Sequence, residues 1–210
     1  MMLQPPTLKI VEIFPSIQGE GLRQGEATIF IRLGGCNLRC AFCDTKYAWE
    51  GGKDYSAEQI LEKVKKIEKR FPCQWLCLTG GEPLLQDVGG LLQKLKKKKF
   101  KIQVETNATI YRDLPVDWYT ISPKPEKYFY QPEYKNRAKE VKLIVSRDLE
   151  VGIIQKFRHD FPERIPIILQ PQSNRKWSFK LALKLLRQSL KMGLNNIKVS
   201  VQLHKIYGLR

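Results

Sequence analysis

Residues 28–44 read TIFIRLGGCNLRCAFCD. The first six are a β-branched run of strand length; Gly34 and Gly35 then turn the chain into a loop bearing Cys36, Cys40 and Cys43. Upstream, residues 8–14 (LKIVEIF) give a second strand, separated from the first by a polar, glycine-bearing stretch. Downstream, Ser56 followed by Gln59 has the form of a capping box, and Ile60, Leu61, Val64, Ile67 and Phe71 recur at helical spacing up to Pro72. Alternation then continues to the end of the chain. Strands are expected at 75–79, 101–105, 118–121, 140–145, 165–169 and 196–201, and helices at about 84–98, 149–159 and 178–192. Such alternation argues for βαβ units with right-handed crossovers and a mostly parallel sheet.

The expected fold is therefore α/β, a partial, open β/α barrel of about six mostly parallel strands. A closed eightfold barrel usually takes ~250 residues, more than the 210 here. No linker or repeat divides the chain, so one domain over 1–210 is expected, with its site at the carboxyl ends of the strands. Residues 122–139, with three prolines and no helical period, read as one long loop of the kind that is uncommon unless functional.

Composition bounds the function. With 42% apolar residues and no run near the ~20 needed to span a bilayer, the chain reads as soluble, and residues 1–9 lack a signal-peptide layout, so the cytoplasm is the expected compartment without a membrane partner. Against 21 Asp and Glu stand 37 Lys and Arg, a formal charge of +16 that favours an acidic partner or substrate. The run 94–101 (KLKKKKFK) reads as a solvated helix end whose cations complement the helix dipole.

Five cysteines in 210 residues are too few and odd in number for a disulfide-stapled domain, which leaves metal-ligating or reactive thiols. Cys36, Cys40 and Cys43, spaced C-x3-C-x2-C, are soft ligands suited to zinc or an iron-sulfur centre. A structural zinc site would need a fourth ligand, and the two histidines, His159 and His204, lie far along the chain. Three thiolates on a four-iron cluster would leave one iron open to a small molecule. Cys73 and Cys77 read as small buried residues of a strand rather than a second metal site.

With Phe42 before the last cysteine, CNLRCAFC resembles the signature of the radical S-adenosylmethionine (SAM) superfamily, and Thr79-Gly80-Gly81-Glu82-Pro83 after the next strand resembles its GGEP loop. Within that superfamily, residues 12–21 (EIFPSIQGEG), Arg32, Asp44-Thr45 and the tail 200–208 (SVQLHKIYG) resemble the 7-carboxy-7-deazaguanine synthases over essentially the whole chain.

The resemblance implies a modified radical SAM core with Cys36, Cys40 and Cys43 on a [4Fe-4S] cluster. It implies SAM contacts from Phe42, Cys43, Asp44, Gly80, Gly81 and Glu82, and from the loops Ser122-Pro123-Lys124 and Gln170-Pro171-Gln172-Ser173. Ile17, Gln18, Gly19, Arg32, Thr79 and Arg210 would meet the substrate, with Arg32 on its carboxylate, and Thr45 would ligate Mg2+. Plainer readings stand beside these: Thr45 as a turn residue, Arg32 as a solvated charge, Arg210 as a frayed terminus and His204 as a packing residue.

The reaction implied is radical, Mg-dependent ring contraction of 6-carboxy-5,6,7,8-tetrahydropterin to 7-carboxy-7-deazaguanine with loss of ammonia, by a carbon-nitrogen lyase of deazapurine biosynthesis. An acidic electron donor such as flavodoxin or ferredoxin and a homodimer are implied as partners, with no specific nucleic acid. Two other classes remain: a glycyl-radical activase, which shares the cysteine spacing and GGEP but acts on a protein, and a zinc-dependent nucleic-acid-binding module.

Overall fold

The structure, a computed structural model, describes residues 6–125 and 127–209. It divides into two compact units, one of Met1–Ile17, Ala27–Glu105 and Arg112–Asp117, the other of Gln18–Glu26, Thr106–Tyr111 and Trp118–Arg210.

In the first unit the strands β1 (Thr7–Ile17), β2 (Ala27–Leu33), β3 (Lys53–Ser56), β4 (Trp75–Gly80) and β5 (Lys101–Thr106) lie in the order β3-β1-β2-β4-β5. β2, β4 and β5 are parallel, and β1 pairs antiparallel with both β2 and β3. One face is a continuous apolar layer: Ile29, Ile31, Leu33, Leu76, Leu78, Ile102 and Val104 are fully buried. Helix α1 (Ala57–Glu68) packs on β1 and β2 and on α2 (Gly89–Lys97), as expected for parallel strands covered by crossover helices.

The capping box is present. The Ser56 N–H donates to Gln59 Oε1 (2.8 Å), and the Gln59 N–H to Ser56 Oγ (3.3 Å). The helix expected from residue 84 begins only at Gly89, because Pro83–Leu85 form a separate 3-10 turn and Asp87 accepts the Gly89 N–H (3.1 Å).

A β-bulge at Val11 matters more for function. Ile10 pairs with Leu33 and Glu12 with Arg32, so Val11 is the extra residue and the chain changes face there. Leu8 and Ile10 thereby join the buried helix-facing side, while Glu12 and Phe14 turn to the other side beside Arg32 and Phe30.

The second unit holds β6 (Trp118–Ile121), β7 (Ala138–Val145), β8 (Ile167–Pro171) and β9 (Ile197–Val199), in that order and all parallel. Helix α4 (Val151–Asp160) packs on β8, and α5 (Lys176–Lys191) on β7, β8 and β9. Two one-turn helices, α3 (Tyr134–Arg137) and α6 (Leu203–Ile206), complete it. The loop expected over 122–139 is shorter, since α3 and the start of β7 occupy its last six residues.

The α/β class and the mostly parallel, open arrangement are as expected. Among the described residues, three mutually paired parallel strands lie in one unit and four in the other, against about six expected, with β1 running against its neighbours β2 and β3.

The C-terminus of α4 is closed by its own Arg158, whose guanidinium donates to the carbonyls of Ile165 (2.8 Å), Phe161 (2.9 Å) and Pro162 (2.5 Å). These bonds tie the C-cap carbonyl of Phe161 and the carbonyls of Pro162 and Ile165 beyond it to the last turn of the helix, and a hydrogen bond from a charged donor contributes about 1.5–3 kcal/mol net. Arg158→Ala is expected to lower unfolding free energy by roughly 2 kcal/mol in urea with an unchanged m-value. A loss under about 0.5 kcal/mol would show that water replaces the guanidinium.

Candidate active site

Parallel strands place the carboxyl ends of β2 and β4 side by side, and the loops leaving them are the cysteine loop and the GGEP loop. Backbone bonds join them: the Gly81 N–H donates to the Leu33 carbonyl (3.2 Å) and the Glu82 N–H to the Gly35 carbonyl (2.8 Å). Only glycine allows this approach. A Cβ on Gly81 would lie 2.0 Å from the Gly35 oxygen and 2.9 Å from Cys36 Cβ, and one on Gly80, at φ +139°, 2.1 Å from the Leu33 oxygen. The glycines of GGEP therefore seat one loop on the other, in addition to any approach to a ligand.

The far side of the cysteine loop is fixed as tightly. The Gly35 N–H reaches the Ala48 carbonyl (2.9 Å), and Gln86 clamps the Lys9 backbone at both its N–H (2.7 Å) and its carbonyl (3.1 Å), donating also to the Gly34 carbonyl (2.9 Å).

Within the loop, Cys36 Sγ takes the Leu38 N–H and Cys43 Sγ the Thr45 N–H, both at 3.4 Å. Burial raises the Cys36 thiol pKa; its hydrogen bond to Leu38 opposes this, while the negative fields of Glu82, Cys40 and Cys43 add to it. The three thiols and Glu82 thus share one electrostatic neighbourhood. Among the described residues, no three or more His, Cys, Asp or Glu side chains are arranged to hold a metal ion. The donor set itself, three soft thiolates on one loop with backbone N–H groups on two of the sulfurs, fits an iron-sulfur cluster.

Glu82 is fully buried and accepts the Leu84 N–H (3.1 Å), so it also caps the 3-10 turn. The functional and the plain readings of this residue coexist. Thr45 donates to the exposed Asp44 carboxylate (3.1 Å), so the two side-chain oxygens lie side by side on the loop. Phe42 is half-buried on the same loop.

The bulge at Val11 completes a polar row. Glu12 pairs with Arg32 across β1 and β2, and Arg32 with Thr79 across β2 and β4, so the three share a face directly below the loops. Beneath them Phe14 stacks on Phe30 (5.3 Å, 13°) with Cys77 buried in the same apolar cluster, whereas Cys73, expected to be buried in the strand with it, is half-exposed ahead of β4. Arg32 Nε donates to Glu12 Oε1 (2.7 Å), which also accepts the Tyr47 hydroxyl (2.9 Å). The guanidinium lies over the Phe14 and Tyr47 rings at 5.8 and 5.9 Å. Its two Nη groups donate to no described residue, leaving the outer edge of the fork for another acceptor. Arg32 is held and directed, not a solvated charge.

Ile17 ends β1 in the first unit, half-buried, and the second unit carries the remaining sequence-marked residues. Gln18 is buried and accepts the Glu20 N–H (3.2 Å). Gly19 packs so closely on the His204 ring that a Cβ would lie 2.2 Å from its Nδ1. Ser122 is buried, its N–H on the Thr106 carbonyl (2.8 Å) and its hydroxyl accepting from Lys124 Nζ (2.7 Å), with Pro123 buried between them. Gln170 and Pro171 are buried at the end of β8, and Gln170 Oε1 has no hydrogen-bond partner among the described residues. Gln172 donates through its N–H to Ser178 Oγ (2.8 Å), and Ser173 turns left-handed at φ +50°. Arg210 lies outside the described residues.

A model of the Radical SAM superfamily matches residues 30–128. Over 216 residues, covering 96% of this chain and 88% of its relative, the sequence is 37% identical to 7-carboxy-7-deazaguanine synthase of Rickettsia prowazekii. The chain belongs to the 7-carboxy-7-deazaguanine synthase family. The family's Aquifex aeolicus member is 33% identical over 95% of this chain and 93% of its own length. Among solved structures, QueE from Escherichia coli superposes with a TM-score of 0.78 at 28% identity, covering 94% of this chain and 95% of that one. TYW1 with a lysine-pyruvate adduct shares the fold, at a TM-score of 0.58 and 17% identity over 77% of this chain and 72% of its own.

Against this 7-carboxy-7-deazaguanine synthase background, the site holds charges that motif reading passed over. Glu12 opens EIFPSIQGEG yet drew no role, because only the bulge brings it to Arg32. On β7, Glu140 is fully buried and accepts the Leu22 N–H and the Thr120 hydroxyl, both at 2.7 Å. Two residues on, Lys142 forms a buried ion pair with Glu20. Burial raises the Glu20 pKa, but attraction and hydrogen bonding from Lys142, a hydrogen bond from Gln202 and the field of His204 outweigh it, so the carboxyl titrates below its usual range. Lys139, Glu140 and Lys142 interrupt the apolar strand AKEVKLIV, and Glu140 and Lys142, two residues apart on one face, were the available signal.

Proposed function

We propose that this chain is a radical SAM 7-carboxy-7-deazaguanine synthase that contracts 6-carboxy-5,6,7,8-tetrahydropterin to 7-carboxy-7-deazaguanine with loss of ammonia. The observation that carries the reading is the row Glu12, Arg32, Thr79 beneath the joined cysteine and GGEP loops, within a chain similar to family members over nearly its full length. A fixed guanidinium with an outward edge is shaped for a carboxylate, and this substrate carries one.

Cys36, Cys40 and Cys43 would hold a [4Fe-4S] cluster through thiolates. Phe42, Cys43, Asp44, Gly80, Gly81 and Glu82 would bind SAM, as would Ser122, Pro123, Lys124, Gln170, Pro171, Gln172 and Ser173. When bound, cluster and SAM supply one-electron chemistry that takes a hydrogen atom from C6 of the pterin. The protein binds, orients and keeps water away. Arg32 anchors the carboxylate, Thr79 offers a hydroxyl beside it, and Ile17, Gln18 and Gly19 present amide groups to the ring's donor and acceptor edge. Thr45 would place Mg2+, Arg210 would reach the substrate, and 1–210 acts as one domain, since family members align across both units.

The deciding experiment is anaerobic incubation with reductant, SAM, Mg2+ and the carboxylated pterin, followed by mass spectrometry. Formation of 7-carboxy-7-deazaguanine is expected. SAM cleavage without it would leave a radical SAM enzyme and move the glycyl-radical activase forward, whereas zinc without iron in anaerobically purified protein would favour the nucleic-acid-binding module.

A homodimer in the cytoplasm and an acidic donor such as flavodoxin or ferredoxin complete the reading. Among the described residues no helix is long and apolar enough to cross a membrane. Charge placement refines where the donor docks. Lys101 opens β5 beside Trp75, at the start of the parallel strands, so the run 94–101 sits at the end away from the cysteine loop. Exposed Arg39 and Lys46 lie on the cysteine loop itself. Cluster reduction by an acidic donor is expected to slow as salt rises, and Lys46→Glu to slow it more than Lys98→Glu. Equal effects of the two reversals would place docking elsewhere.

A further inference from the structure

The segment that leads from β9 into α6 is bonded to two loops at once. On one side, the Gln202 N–H donates to Asn174 Oδ1 and Asn174 Nδ2 donates back to the Gln202 carbonyl, both at 2.8 Å, while Lys205 Nζ donates to Ser173 Oγ (3.1 Å). On the other, Gln202 Nε2 donates to Glu20 Oε1 (2.7 Å) and the Leu203 N–H to the Gly19 carbonyl (2.9 Å). Gln24 Nε2 bridges the Gly19 carbonyl (2.9 Å) and the Val201 carbonyl (3.0 Å). Glu20 is held through its other oxygen by Lys142, and Gln202 is 5% exposed.

Two details raise this above ordinary packing. Ser173 and Asn174 are consecutive non-glycine residues in the left-handed region, at φ +50° and +53°, a conformation that persists only where its surroundings impose it. The reciprocal amide pair with Gln202 is such a constraint. Also, Gln202 is the one described residue bonded both to the Glu20 carboxylate of the 18–26 loop and to Asn174 of the loop after β8.

We propose that Gln202 is a positioning residue coupling the loop after β8 to the loop of Gln18 and Gly19, so that binding of SAM and binding of the carboxylated pterin strengthen one another. The inference rests on the proposed function, which gives the first loop to SAM and the second to the substrate. A ligand that fixes either loop fixes the Gln202 side chain or backbone, and the other loop then needs less ordering to bind its own ligand. Such coupling is reciprocal and equal in both directions.

The test uses cluster-loaded enzyme in its oxidised, non-reacting state. SAM affinity is measured by anaerobic equilibrium dialysis with and without saturating 6-carboxytetrahydropterin, and pterin affinity with and without SAM. The unaltered enzyme should show mutual strengthening of about 5-fold or more; in Gln202→Ala both factors should fall together to under about 2-fold. A purely structural residue would weaken both ligands and leave that ratio unchanged, and a wild-type ratio in Gln202→Ala overturns the inference. If Gln202→Ala does not fold, Asn174→Ala, which spares the bond to Glu20, must show the same loss, and an undiminished ratio there is equally fatal. Unaltered enzyme that makes 7-carboxy-7-deazaguanine without any coupling refutes the inference alone, whereas enzyme that makes none removes the functional reading and the inference with it.

Discussion

Gly81→Ala is expected to cost the protein most of its cluster and at least ~100-fold in product formation. The added methyl would stand 2.0 Å from the Gly35 oxygen, 2.6 Å from its carbonyl carbon and 2.9 Å from Cys36 Cβ, and backbone atoms cannot rotate aside as a side chain can. The chain must part the two loops, breaking the Glu82–Gly35 and Gly81–Leu33 backbone bonds and carrying Cys36 with it. Overpacking of this kind costs roughly 1–3 kcal/mol in stability. Its larger effect falls on geometry, because a shift of about 1 Å at a reacting centre can cost ~100-fold in rate. Iron and acid-labile sulfide per chain after anaerobic reconstitution, with turnover, test this. Gly90→Ala in the first turn of α2 is the control: nothing lies within 4 Å of the position its methyl would take, and alanine there should leave cluster content intact. A Gly81→Ala protein with a full cluster and normal turnover would mean the two loops are not seated on each other as described.

The same pair of loops explains what the sequence could disclose. CNLRCAFC and TGGEP are contiguous, and they are recognised by residue type and spacing, so both loops and the strand ends that carry them were legible. The Val11 bulge was not. LKIVEIF alternates acceptably in either register, and only pairing with β2 shows that Glu12 moves to the Arg32 face. Strand β3 escaped for a similar reason: Lys-Asp-Tyr-Ser has little strand character, and its pairing to residues 7–10 of β1 is what makes it one. The start of α2 was misplaced because the apolar Leu84 and Leu85 fit a helical period, while Pro83 and the Asp87 carboxylate, which accepts the Gly89 N–H, divide that stretch into a 3-10 turn and a later helix. In the second unit the loops with Gln18 and Gln170 were identified by motif, but not what holds them. Glu20 lies 122 residues from Lys142 and 182 from Gln202, beyond the reach of local pattern.

Lys142→Met should show how much that hidden pair contributes. The Lys142 and Glu20 side chains are only 7% and 13% exposed, so removing the ammonium leaves a carboxylate in a poorly solvated place, with the Gln202 amide still donating to it at 2.7 Å. Breaking one side of a buried pair typically costs about 3–5 kcal/mol, far more than an exposed pair is worth. The effect should depend on pH in a definite sense. In the intact protein the Glu20 carboxyl titrates below its usual range, so its contribution is complete above the unfolded-state pKa and is lost as pH falls through the folded one. Burial is already the largest single influence on Glu20, and without Lys142 only the Gln202 hydrogen bond and the His204 field oppose it; the Glu20 pKa is then expected to rise above the usual range, so that the variant instead loses stability as pH rises through that interval. The gap between the two proteins should therefore be widest near neutral pH and narrow on acidification, as followed by urea unfolding of the apoproteins across the acid range. Adding Glu20→Gln to Lys142→Met should recover much of the loss, because it removes the stranded charge. A deficit below about 1 kcal/mol at neutral pH, or one that does not shrink with acid, would mean that water reaches Glu20 and that the pair behaves as a surface contact.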